Sequence, residues 1–165
     1  MTASRRAGSL GLWRRVLACT GLALACACAS DAEVGCGDGQ QRASVEAVST
    51  AGGAGSFAFT IEVRADDRDC GCQADYWEIV GIDGVLLQRH PLPARSAPGT
   101  ISTTTGAALT LSEDLYVVVR AHMRGGAGDG VAAMRGSVRD GFVAYDATGF
   151  GLGLSGQGPQ PPACP

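Results

Sequence analysis

Hydrophobic and polar positions alternate with a period of two along much of the chain. Phe57, Phe59, Ile61 and Val63 share one face of an extended segment, while Ala58, Thr60, Glu62 and Arg64 share the other, as in a strand with one buried side. This is the cleanest strand; residues 44–48 alternate more weakly. An acidic stretch, Asp66-Asp67-Arg68-Asp69-Cys70-Gly71-Cys72, leads to a strand over 76–80, and Gly81-Ile82-Asp83-Gly84 links that run to another over 85–89. An Asp-Gly pair between two apolar runs predicts a hairpin. Pro91, Pro93 and Pro98 lack N–H donors, so 91–99 is expected to be irregular or an edge segment. Short strands are predicted over 101–105 and 107–111, and a sheet-interior strand over 115–123, which is apolar and β-branched. A glycine cluster at 125–130 predicts a turn, followed by strands over 131–138 and 141–145 joined at Arg139-Asp140-Gly141. Six to eight short strands without helical periodicity predict an all-β fold, an antiparallel β-sandwich spanning 44–147.

The two ends read differently. Arg5, Arg6, Arg14 and Arg15 precede an apolar run over 16–25 and then Cys26-Ala27-Cys28-Ala29-Ser30, so residues 1–28 are expected to be an export signal. The run is about half the roughly 20 residues a spanning helix needs, so cleavage is expected rather than anchoring by this segment. An ordinary peptidase would cut after Ala29. Lipoprotein processing would instead acylate Cys28 or Cys26, each of which follows a small residue. Polar residues 29–43 read as a tether, and the Gly/Pro-rich residues 148–165 as a flexible tail. The expected locations are the periplasm, the outer membrane through a lipid anchor, or the extracellular space.

Processing changes the charge and the cysteine count. Four of the thirteen basic residues lie in the signal and none of the sixteen acids does, which leaves nine against sixteen, a net of about −7. A field of that sign opposes nucleic acid and anionic bilayers, so neither is an expected partner. Cys36, Cys70, Cys72 and Cys164 remain after cleavage at Cys28 or Ala29, an even set that predicts two disulfides with three possible pairings. A Cys70–Cys72 bond would close a small strained ring, so pairings that tie this loop to the terminal segments are favoured.

Two resemblances bear on architecture. Leu111-Ser112-Glu113-Asp114-Leu115-Tyr116-Val117-Val118-Val119-Arg120-Ala121 resembles the approach to the F strand of immunoglobulin and fibronectin type III domains. That resemblance implies a tyrosine corner, with the Tyr116 hydroxyl bonded to upstream backbone. More widely, Ser56-Phe57-Ala58-Phe59-Thr60-Ile61, Ala74-Asp75-Tyr76-Trp77-Glu78, Asp83-Gly84-Val85-Leu86-Leu87-Gln88-Arg89, Val119-Arg120-Ala121-His122-Met123 and Ala133-Met134-Arg135-Gly136 are similar to a group of exported bacterial proteins. It implies the same fold and no particular activity.

Candidate chemistry is sparse. Gly151-Leu152-Gly153-Leu154-Ser155-Gly156 has the spacing of a dinucleotide loop, but no helix follows to present its N-terminus to phosphate. Asp66, Asp67, Asp69, Asp75 and Glu78 offer oxygen ligands for Ca²⁺ without the order of an EF-hand. No cofactor is otherwise implied. His90 is expected to be exposed, and His122 lacks an accompanying nucleophile motif. Arg120, Arg124 and Arg135 are expected to pair with the acidic loop. Tyr76 and Trp77 must face opposite ways on a strand, which makes Asp75, Tyr76, Trp77 and Glu78 the candidate binding surface. The sequence therefore predicts a binding or structural module of the cell envelope, meeting a protein or glycan at the cell surface through the loops 70–77 and 91–99. The alternatives are a hydrolase using Asp75, Glu78 and His122, or a Ca²⁺-stabilised module.

Overall fold

The computed structural model describes residues 36, 42–95, 97–126 and 132–164. The export segment and the lipidation candidates Cys26 and Cys28 lie outside the described residues. Among the described residues there are nine strands: β1 (Ala43–Gly53), β2 (Ser56–Ala65), β3 (Ala74–Gly81), β4 (Leu86–Pro91), β5 (Gly99–Thr104), β6 (Leu109–Thr110), β7 (Val117–Met123), β8 (Ala133–Ser137) and β9 (Gly141–Tyr145). No helix occurs among them.

The alternating residues of β2 organise the first sheet. β1 pairs antiparallel with β2 from Gly53 opposite Ser56 to Ala43 opposite Ala65, and β5 and β6 occupy the other edge of β2. Ala54 and Gly55 close the β1–β2 hairpin with φ of 53° and 80°. Positive φ at both central residues matches the turn twist to that of the strands. The second sheet runs β4-β3-β7-β8-β9, all antiparallel. The chain changes sheet after β2, β4 and β6. β1, β2 and β5 on one side and β3, β7 and β8 on the other reproduce the A-B-E and C-F-G division of immunoglobulin-like sandwiches. β4 lies beside β3, and β9 extends the sheet beyond β8.

The core forms where the inner faces meet. Phe57, Phe59, Ile61 and Val63 pack with Trp77, Ile79, Val117, Val119, Ala121 and Met123 in one buried cluster, as the alternation of β2 predicts. Trp77 Nε1 donates to Thr103 Oγ1 of β5 at 2.7 Å, so the indole crosses between the sheets with its polar atom satisfied. β7 is a central strand between β3 and β8, as its composition predicts.

Several expectations are corrected. The nine strands fall on the nine runs marked in the sequence, but the run at 107–111 leaves only a two-residue strand and β1 extends to Gly53. Tyr116 forms no corner to upstream backbone: its hydroxyl donates to Asp140 Oδ2 at 2.6 Å across the β8–β9 turn, and the residue is 39% exposed. The strand begins only at Val117, which leaves Tyr116 on the surface. The tail is folded against the second sheet, through contacts described next.

Candidate functional site

All eight residues of β3 are buried, which the sandwich alone does not explain, since one face of each sheet should meet solvent. The inner face packs Trp77 and Ile79 in the core. On the outer face the register sets Glu78 between Arg89 of β4 and Arg120 of β7. Glu78 Oε2 accepts from Arg89 Nε at 3.0 Å and Nη2 at 2.7 Å, and Oε1 accepts from Arg120 Nε at 2.6 Å. None of the three residues exceeds 4% exposure. One carboxylate thus serves two guanidinium groups, an arrangement that holds in a dry site only if the remaining donors are satisfied.

The C-terminal segment satisfies them. Arg89 donates to the carbonyls of Leu154, Ser155 and Gln157, and Arg120 to those of Phe150 and Gly151. Glycine suits this work because a main chain without bulky side chains can lie close to the sheet. At Gly151, φ is +63° and a Cβ would come within 3.4 Å of the Arg120 guanidinium. Recognition is of main-chain oxygen, and Leu154 is the buried apolar anchor of the segment.

A second row lies beside the first. Arg89 Cζ sits 4.1 Å from the centroid of the Tyr76 ring, and Tyr76 stacks on His122 with centroids 4.5 Å apart. An irregularity in the β3–β7 register between Ala74 and Tyr76 brings the Asp75 side chain to the same partners. Asp75 Oδ1 lies 2.6 Å from His122 Nδ1, and Oδ2 accepts from Arg124 Nε at 3.3 Å. Arg124 also donates to the Pro162 carbonyl at 2.9 Å.

The Cys70–Cys72 loop and the proline loop converge at this end of the sandwich. Cys36 bonds Cys72 and Cys70 bonds Cys164, with Cα separations of 5.3 and 5.5 Å, so the loop is tied to both terminal segments as favoured. The Leu92 N–H donates to the Asp75 carbonyl and the Arg95 N–H to Gln73 Oε1, each at 2.8 Å. Asp67 Oδ1 accepts the Ala74 N–H at 2.7 Å, and its Oδ2 is 3.8 Å from Arg95 Nε. Burial pushes the Asp67 carboxyl above the usual range, with the Ala74 bond and Arg95 opposing.

The sequence-predicted residues are thus brought together, but beneath the surface. Asp75, Tyr76, Trp77 and Glu78 are 3%, 3%, 0% and 1% exposed, so they do not form the exposed patch expected of them. Trp77 faces the core, and the tail covers the opposite face. His90, expected in solvent, is half-buried, stacked on Trp77 at 5.0 Å; burial lowers its pKa. Arg120 and Arg124 pair with Glu78 and Asp75 rather than with residues 66–69, whereas Arg135 lies over Tyr145 and Tyr116. Arg89 and the tail carbonyls were not anticipated. Their signal was polar residues at alternate positions, 76, 78, 120 and 122, in strands otherwise apolar enough to be buried.

Chemically the arrangement is a binding face filled from within the chain. Asp67, Asp69, Asp75 and Glu78 accept from different partners, and no group of three or more His, Cys, Asp or Glu among the described residues is placed to hold a metal. In the 151–156 segment, carbonyls rather than N–H groups point to the sheet, the wrong polarity for phosphate. An open hollow of about 490 Å³ lies elsewhere, lined by Ser44, Glu46, Met134 and Tyr145 among others and by none of Asp75, Glu78 and His122. No family model, curated protein or solved structure matches the chain.

Proposed function

We propose that the chain is an exported, non-catalytic binding or structural module of the bacterial cell envelope, a sandwich that presents the paired loops 66–73 and 92–98 to a protein or glycan at the cell surface. The observation that carries this reading is the convergence of these loops at one end, where Arg95 meets Gln73 and Asp67 and both disulfides tie the first loop to the terminal segments. Two disulfides suit an oxidising compartment, which supports export. Asp75 and Glu78, which a hydrolase would need free, accept from buried or half-buried guanidinium groups. That supports a structural role for them. The lipid anchor rests on Cys28 or Cys26 alone.

Intact-mass analysis of the protein from fractionated cells tests export. The expected result is a chain lacking residues 1–25, 1–27 or 1–29, with or without acyl groups, two disulfides, and recovery in the envelope or medium. A full-length reduced chain in the cytoplasm overturns the proposal. Binding is tested with washed cell-surface fractions. Saturable retention of the mature protein, lost in Ala94→Arg and Pro98→Arg, supports presentation by the loop, since both residues are exposed. Equal retention of these variants rules the loop out.

A further inference from the structure

We propose that Cys70–Cys164 is a thiol-exchange site that latches the C-terminal segment over the second sheet, whereas Cys36–Cys72 is a structural cross-link. The two disulfides leave the same short loop but enter opposite surroundings. Cys36 and Cys72 are 3% and 2% exposed and belong to the hydrophobic core, while Cys164 is exposed and Cys70 half-buried. A dithiol reductant can reach only the second bond without opening the core.

The second bond also has a built-in electrophilic aid. Arg124 Nη1 lies 2.8 Å from Cys164 Sγ and 3.6 Å from Cys70 Sγ. A guanidinium at that distance stabilises a thiolate, and the sulfur that leaves more readily as thiolate is the better leaving group in exchange. Attack by one thiolate of the dithiol on Cys70 Sγ forms a mixed disulfide and breaks Cys70–Cys164, the electron pair departing on Cys164 beside Arg124. The second thiol of the reductant, deprotonated, then displaces Cys70 and closes the reductant's own disulfide. Two electrons and two protons pass from the dithiol to Cys70 and Cys164.

The bond matters because of what it holds down. The segment from residue 146 is fixed at its start by β9 and at its far end by Cys164, and between them its carbonyls face Arg89, Arg120 and Arg124. Apart from Leu154, its residues from 152 to 160 are exposed and add no buried apolar contact. Opening Cys70–Cys164 frees the far end, and the segment lifts from the Glu78 row. The thiol state of the surroundings thereby controls access to a face of two guanidinium groups and one carboxylate.

The test uses the purified, oxidised mature chain, treated with a graded dithiol, quenched with an alkylating reagent and mapped by mass. Cys70 and Cys164 should become alkylated at least about tenfold faster than Cys36 and Cys72. Chymotrypsin cleavage after Leu154 should rise at least about tenfold in the partially reduced species, as the covered site opens. Equal reduction of the two bonds, or selective reduction with unchanged cleavage, overturns the proposal. Arg124→Gln should slow reduction about threefold or more while Arg124→Lys keeps the rate. An unchanged or faster Arg124→Gln removes the role given to Arg124. If that variant does not fold, the wild-type measurements still decide the latch.

Discussion

Replacing Glu78 by Leu removes the only carboxylate between two buried guanidinium groups. Three charge-assisted hydrogen bonds of 2.6 to 3.0 Å disappear, among residues at most 4% exposed. Each such bond contributes about 1.5–3 kcal/mol, but the bonds share one carboxylate and do not add. Removing one partner from a buried ionic group costs about 3–5 kcal/mol, chiefly because the remaining charge is uncompensated. The tail carbonyls still accept from both arginines, which places the expected loss near the lower figure, about 3–4 kcal/mol. That is a large fraction of the roughly 5–15 kcal/mol available to a small domain. Urea denaturation followed by the fluorescence of buried Trp77 reads it directly: with a slope of about 1–3 kcal/mol/M, the midpoint should fall by more than about 1 M. The companion variant Glu78→Leu with Arg89→Met and Arg120→Met should recover at least half of the loss, since no unpaired charge is left. A loss below about 1 kcal/mol for Glu78→Leu, or a triple variant less stable than the single one, would refute the reasoning.

Three further outcomes are expected. Ala54→Asn should raise stability by about 0.5–1 kcal/mol in the same assay, because φ of 53° is costly for Ala while Asn-Gly suits this turn. His90 has its pKa lowered from the ordinary 6.5 by burial, so the unfolded chain binds the proton more readily. Its contribution should be present above pH 6.5 and be lost as pH falls from there through the folded-state value; His90→Phe, which keeps the stack on Trp77, should flatten the melting temperature over that window. The bond to Asp140 holds the Tyr116 hydroxyl above its ordinary value of 10.0, so Asp140→Asn should lower its titration midpoint in ultraviolet absorbance; an unmoved midpoint would count against the bond.

Much of the sandwich was legible because it depends on local alternation. Phe57 to Val63 could bury one face in only one register, and the Asp83-Gly84 turn and the β8–β9 turn at 138–140 were marked by their residues. The β1–β2 hairpin was less legible, since Ala54 disguised a turn that Gly52, Gly53 and Gly55 otherwise signalled. Tyr116 misled because its hydroxyl meets Asp140, 24 residues downstream in the β8–β9 turn, instead of upstream backbone. The candidate binding residues Asp75 to Glu78 are buried, because their exposure is a property of another segment.

The sequence by itself determined that strands form and that polar side chains interrupt otherwise apolar strands. Tertiary structure alone decided that Glu78 would serve Arg89 and Arg120, because those pairings are set by sheet register across 11 and 42 residues of chain. It also decided that the Gly/Pro-rich tail would be a cover, since carbonyls carry no sequence signal and the glycines leave room for them. The alternation of β2 can be read from neighbouring residues; the burial of β3 depends on a segment about seventy residues away, and only the folded chain brings the two together.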